Sequence, residues 1–245
     1  MKRNFLFLMI LLLCTINFGH AQGRRVLFIG DSITDGNWGG GGSSSKRNLW
    51  DMNHIFGSGY MYLCASYYQG NYPEKNYEFF NRGISGNTLQ DLEKRWQEDA
   101  IDIKPDVLSV LVGINDLHVY MQNPNRTPFD YQAWENLYRS LLDRSLQANP
   151  NLKIILGAPF IANVGSMRKN TDFAERENIV HQCAAIVEKI AKDYHAVYLP
   201  YDKMFEKTLK DTPIVKDTYW IWDGVHPTPA GHRRMADLWM KRVKL

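Results

Sequence analysis

Four short stretches carry the residue types that acyl transfer requires. They read Gly30-Asp31-Ser32-Ile33-Thr34, Asn81-Arg82-Gly83-Ile84-Ser85-Gly86-Asn87-Thr88, Gly113-Ile114-Asn115-Asp116 and Asp223-Gly224-Val225-His226-Pro227. A serine hydroxyl needs a base to take its proton, the base needs an orienting partner, and a tetrahedral intermediate needs donors placed at its oxygen. Ser32, His226 and Asp223 are candidates for the first three roles. Ser32 follows the apolar run Val26-Leu27-Phe28-Ile29, the pattern of a buried strand. Ligands of open α/β sheets bind beyond the carboxyl ends of such strands. Asp223 and His226 lie three residues apart, and Pro227 stops the local chain continuing as helix. In a short loop the carboxylate can meet one imidazole nitrogen while the other faces the serine, which fixes the tautomer. Gly86 allows close approach of its backbone N–H, and the Asn115 amide offers a neutral N–H. Taken singly, these stretches also read as a helix cap, a surface loop, a turn glycine and a strand-ending asparagine.

In this order the four stretches resemble those of the SGNH hydrolase family, the GDSL-type serine esterases, from about Arg25 to about Leu238. The resemblance implies a triad of Ser32, Asp223 and His226. It also implies an oxyanion hole built from the N–H of Ser32, the N–H of Gly86 and the Asn115 amide, with no metal or organic cofactor. Related enzymes remove acetyl groups from glycans, so the leading expectation is an esterase that deacetylates carbohydrate through an acyl-enzyme. The alternatives are a lysophospholipase or broad carboxylesterase, and a carbohydrate-binding module without catalysis. The Gly-x-Ser-x-Gly elbow of the α/β-hydrolase fold is absent around Ser32.

The elements that must position these residues follow from hydrophobic pattern. Strands are expected at 25–30, 77–81, 107–112, 153–158 and 196–199, and helices at 55–68, 89–99, 130–148, 172–194 and 228–241. Strands alternating with helices imply right-handed crossovers and a parallel sheet covered on both faces. The expected architecture is a three-layer α/β/α sandwich with a five-stranded parallel sheet, flavodoxin-like in order. Thr228 and Pro229 offer good start chemistry for the last helix.

The 245 residues suit one domain, and 44% hydrophobic with 22% charged residues is an ordinary globular balance. Lys2 and Arg3 precede an apolar run from Phe5 to Ile16, and Gly19-His20-Ala21 offers a cleavage site. Residues 1–21 therefore read as a secretory signal peptide and 22–245 as the hydrolase domain, secreted or periplasmic. Lipidation at Cys14 is the less favoured reading, because Leu13 occupies the place of a small residue. Removing the leader takes the formal net charge from +3 to about +1, with no basic run. Nothing in that charge balance attracts nucleic acid or an anionic membrane, and the expected partner is a small-molecule or glycan ester.

Cys64 and Cys183 read as buried free thiols, with a disulfide as the alternative. The remaining histidines His54, His118, His181, His195 and His232 show no metal-ligand spacing, though His118 is close enough to Asn115 to line a pocket. Trp38, Trp50, Trp220 and Trp222 flank the motifs, and Trp38 and Trp222 join His118 as candidate substrate contacts. The Gly39–Ser45 stretch is flexible by composition and reads as a surface loop at the lip of the site. It lacks the spacing of a phosphate-binding loop.

Overall fold

A computed structural model describes residues 23–36 and 56–245. Five parallel strands form its sheet: β1 (Arg25–Gly30), β2 (Glu78–Gly83), β3 (Val107–Leu111), β4 (Lys153–Gly157) and β5 (Val197–Leu199). Their order is β2-β1-β3-β4-β5, the flavodoxin-like arrangement. Val26–Ile29 of β1 and all of β3 are buried, as expected for strands covered on both faces.

The helices are α1 (Ser32–Asp35), α2 (Tyr60–Asn71), α3 (Leu89–Trp96), α4 (Ile114–Gln122), α5 (Tyr131–Ala148), α6 (Phe173–Asp193), α7 (Tyr201–Asp211) and α8 (Pro229–Arg242). α2 packs on α8, whereas α3 packs on α5 and α5 on α6. The β1 ring of Phe28 meets Tyr60 of α2 at 5.7 Å and Trp239 of α8 at 5.1 Å. Two buried indole N–H groups in these layers find hydroxyl partners. Trp239 Nε1 donates to Ser109 Oγ at 3.1 Å, and Trp96 Nε1 donates to Ser145 Oγ at 2.9 Å. Thr228 caps α8 by accepting from Gly231 N, and Pro229 occupies the first turn.

The boundaries differ from the sequence expectation where polar residues enter elements. The strand expected over 77–81 begins at Glu78 and runs past Asn81 through Arg82 and Gly83, because pairing with β1 runs from Arg25↔Glu78 to Gly30↔Gly83. Of the helix expected over 55–68, Ile55 lies outside the described residues, and the helix starts at Tyr60 and continues to Asn71. The helix expected over 89–99 gives way after Trp96 to a π-helical turn, Gln97–Ile101. α4 and α7 were not legible as helices: α4 is only nine residues long, and α7 follows Pro200 directly. Cys64 and Cys183 are free and buried, so no disulfide joins them.

Fully buried Asn81 ties the turn after β1 to the sheet. Its Nδ2 reaches the carbonyls of Thr34, Asp35 and Phe56 at 3.0, 3.2 and 3.0 Å. Its Oδ1 accepts from Gly83 N at 2.9 Å.

Candidate active site

Ser32, Gly86 and Asn115 lie beyond the carboxyl ends of the neighbouring strands β1, β2 and β3. Strand order reverses between β1 and β3, the crevice where open α/β sheets place ligands. The Ser32 turn is set by Asp31, whose Oδ1 accepts from Ile33 N at 3.0 Å and so caps α1. Burial pushes the Asp31 carboxyl up to about 7, against the lowering influence of that backbone bond and of His226. Its Oδ2 is buried and makes no hydrogen bond to the described residues.

The Asp223–His226 loop is shaped from outside as well as within. Gly224 has φ +100°, and a Cβ there would lie 2.2 Å from Met167 Cβ, so only glycine fits. Gly224 O accepts from Ala162 N, and Asp223 O accepts from Met167 N, which docks the loop on the segment after β4. Within the loop the Asp223 carboxylate divides its oxygens. Oδ1 accepts from Val225 N at 2.9 Å and His226 N at 2.7 Å, while Oδ2 meets His226 Nδ1 at 2.7 Å. The other ring nitrogen, His226 Nε2, lies 2.9 Å from Ser32 Oγ, across 194 residues of chain.

Electrostatics follow this geometry. The hydrogen bond that His226 Nδ1 donates to Asp223 raises the His226 pKa above its ordinary value, opposed by burial and aided by the charges of Asp223 and Asp31. Burial alone would raise Asp223, but its bonds to the His226 ring and to two backbone N–H groups outweigh it and hold the carboxyl low. A carboxylate that stays ionised beside an imidazole suits stabilisation of an imidazolium.

Asn115 sits in the first turn of α4, and its Nδ2 donates to Asn87 O at 3.1 Å. One amide hydrogen is thereby fixed, leaving the second for the crevice. Gly86, in the same loop as Asn87, has φ +82°, and no atom of the described residues lies within 4 Å of where a Cβ would stand. Asp116 braces this loop: it accepts from Leu89 N at 3.1 Å and from Trp134 Nε1 at 3.0 Å. Burial raises its carboxyl to about 6.

A cavity of about 430 Å³ opens beside His226 and Asp223. His118 lines it, joined by Gln122, Ser166, Asn170 and Arg176, which sequence reasoning missed. Asp172 and Arg176 stand four apart on a helix, a spacing that by itself reads as a surface ion pair. Burial lowers the His118 pKa, helped by the charges of Arg176 and His226. Trp222 is 58% exposed, and its indole stacks near His226 with centroids 6.1 Å apart. Trp220 is buried instead, donating to Thr212 Oγ1. Half-buried His232 accepts from Tyr60 N through Nδ1 and belongs to the α2–α8 packing. Trp38, Trp50, His54 and the Gly39–Ser45 stretch lie outside the described residues.

A hydroxyl, an imidazole and a carboxylate in hydrogen-bond series at the switch point of a parallel sheet belong to a class of hydrolase. Comparison with known proteins makes this class specific: the chain is a carboxylic ester hydrolase. The sequence profile of the GDSL-like Lipase/Acylhydrolase family matches residues 28–234, and the chain belongs to that family. It is 32% identical over 238 residues to an acetylxylan esterase of Geobacillus stearothermophilus, covering 91% of this chain and 94% of the relative. Among solved structures it resembles a putative GDSL-like lipase from Parabacteroides merdae, with TM-score 0.77 and 31% identity over 90% of this chain and 95% of that one. It also resembles LAE5, an α/β hydrolase from the metagenome of Lake Arreo, with TM-score 0.72 and 25% identity over 91% and 95% of the two chains.

Proposed function

We propose that the protein hydrolyses acetyl esters of carbohydrate through Ser32, His226 and Asp223. The observation that carries the reading is the continuous series from Ser32 Oγ to His226 Nε2 at 2.9 Å and from His226 Nδ1 to Asp223 Oδ2 at 2.7 Å. Ser32 Oγ attacks the ester carbonyl as its proton passes to Nε2. The negative oxygen is held by the N–H of Ser32, the N–H of Gly86 and the Asn115 amide. Nε2 returns the proton to the leaving alkoxide, giving an acyl-serine and a free alcohol. A water, deprotonated by His226, then attacks the acyl carbonyl and releases carboxylic acid and the serine hydroxyl.

Two further observations support the assignment. Variants of the Geobacillus acetylxylan esterase described as catalytic mutants alter an Asp and a His three residues apart, the spacing of Asp223 and His226. For the carbohydrate moiety, the exposed Trp222 indole beside His226 offers an apolar face of the kind that sugar rings stack on. Residues 1–21 are proposed as a cleaved leader and 22–245 as one secreted or periplasmic hydrolase domain.

Hydrolysis of p-nitrophenyl esters from acetyl to decanoyl, with Ser32→Ala alongside, tests the reading. A steep preference for acetyl that vanishes in the variant is expected. A rate maximum at eight or more carbons would refute deacetylation and favour a lipid ester. Turnover surviving in Ser32→Ala would remove the serine from the mechanism.

A further inference from the structure

Resting on the esterase reading above, we propose that the cavity beside His226 is the seat of the leaving alcohol. Its ligand is a neutral, polyhydroxylated ring, and Arg176 is the residue that selects it.

The side of the site follows from the proton inventory. His226 Nε2 must hand its proton to the ester oxygen that departs with the alcohol, so that oxygen lies within hydrogen-bond reach of the ring. The acyl carbonyl lies instead against Ser32, Gly86 and Asn115. The cavity is bordered by Asp223, Val225 and His226 but by none of those three residues. It therefore extends from the base toward the alcohol. At about 430 Å³ it falls within the ~300–1,000 Å³ range of small-ligand sites.

The lining decides the chemistry. Arg176 Nε donates to Asp172 Oδ1 at 2.8 Å, and its Nη2 donates to Asp172 Oδ2 at 3.1 Å. That bidentate clamp leaves Nη1 without a hydrogen bond to any described residue. The Arg176 side chain is only 13% exposed, so its guanidinium is held in place before a ligand arrives. A preorganised fork loses little rotamer freedom on binding. The side chains of His118 and Gln122 likewise make no hydrogen bond to described residues. Asn170 donates through Nδ2 to Met167 O at 3.1 Å, leaving its Oδ1 to accept.

An alkyl chain placed here would strip water from these groups and return nothing. A hydroxylated ring gives each group a partner. Charge narrows the class further: Asp172 neutralises Arg176, His118 is held toward its neutral form, and Asp223 remains anionic. An anionic ligand thus meets no uncompensated cation, whereas neutral hydroxyls meet both donors and acceptors.

The test compares kcat/KM on an acetylated neutral xylo-oligosaccharide and on p-nitrophenyl acetate, for wild type and Arg176→Gln. Arg176→Gln should lose about 10- to 100-fold on the glycan, the loss expected for a charged donor to a hydroxyl, carried mainly by KM. The loss on p-nitrophenyl acetate should be at least tenfold smaller. Equal losses on both substrates would mean that Arg176 acts through His226 or the fold, and would overturn the proposal. No loss on the glycan would overturn it as well. Should Arg176→Gln fail to fold, Gln122→Ala provides the same comparison from the exposed edge of the cavity, and absence of a glycan-selective loss there refutes the site. Equal turnover of an oligosaccharide bearing free carboxylates would refute the neutral-ligand part. Wild type inactive on both esters would sink the esterase reading itself, whereas activity on p-nitrophenyl acetate alone would sink only the subsite.

Discussion

Replacing Asp223 by Asn perturbs one proton and almost no volume. In the native loop Oδ1 accepts from two backbone N–H groups, at 2.9 and 2.7 Å, and Oδ2 faces His226 Nδ1 at 2.7 Å. The amide oxygen of Asn can keep the two backbone bonds, but its NH2 then faces Nδ1. The ring must accept there and carry its proton on Nε2, the nitrogen that has to take the proton of Ser32. Restoring the active tautomer requires an amide flip that turns NH2 toward Val225 N and His226 N. Each buried donor left unpaired costs ~1–3 kcal/mol, so the flip costs roughly 2–6 kcal/mol. At 1.36 kcal/mol per tenfold, kcat falls about 30- to 10⁴-fold. KM should change little, because the group acts through His226 rather than on substrate. The melting temperature should hold in Asp223→Asn, which keeps the backbone bonds. In Asp223→Ala it should fall by several degrees, at ~2–4 °C per kcal/mol for a chain of this size. Steady-state kinetics on p-nitrophenyl acetate with thermal unfolding checks both. A kcat within threefold of wild type would refute the tautomer argument. A raised KM with unchanged kcat would make Asp223 a binding residue.

Other perturbations read other parts of the site. Asn115→Ala should lower kcat by about 10²–10³, the usual loss for one oxyanion donor, and a near wild-type rate would remove it from the mechanism. Because Asp223 raises the His226 pKa, the base is neutral only above that raised value. The acid limb of kcat/KM should therefore have its midpoint above ~6.5, activity increasing as pH rises through it, and in Asp223→Asn the limb should move to lower pH. A limb at or below the ordinary histidine value in wild type would contradict the geometry. Asn81→Ala leaves three carbonyls and one N–H without their buried partner, and should cost about 3 kcal/mol or more, lowering the melting temperature by ~6–12 °C. A shift under 2 °C would show that Asn81 does not hold the Ser32 turn to the sheet.

Local chemistry in the sequence determined much of this protein. The four polar stretches, the five apolar strand cores, and the Thr228–Pro229 start of α8 are each legible because neighbouring residues suffice to specify them. Burial needs a run of apolar side chains, and a cap needs one hydroxyl beside a free N–H. The ends of elements were decided elsewhere. Arg82 and Gly83 are polar or small, yet they extend β2 because β1 presents its backbone groups to them in register. α4, at nine residues, is too short for a clear period, whereas α7 does carry one in its core-facing Tyr201, Met204, Phe205 and Leu209. The two tryptophans Trp220 and Trp222 are indistinguishable by type, and only packing buries one and exposes the other beside His226. The site itself is a product of chain crossing: the β2-β1-β3 order sets Ser32, Gly86 and Asn115 on one edge, and the docked Asp223 loop brings His226 to Ser32 across 194 residues. The Arg176 cavity was legible only in part: Asp223, His226 and His118 stand out in the sequence, whereas Gln122, Ser166, Asn170 and Arg176 do not. Its members come from α4, α6, the turn after β4 and the Asp223–His226 loop, and hydrogen-bonding groups so distant in the chain acquire a common function only when tertiary packing sets them around one space.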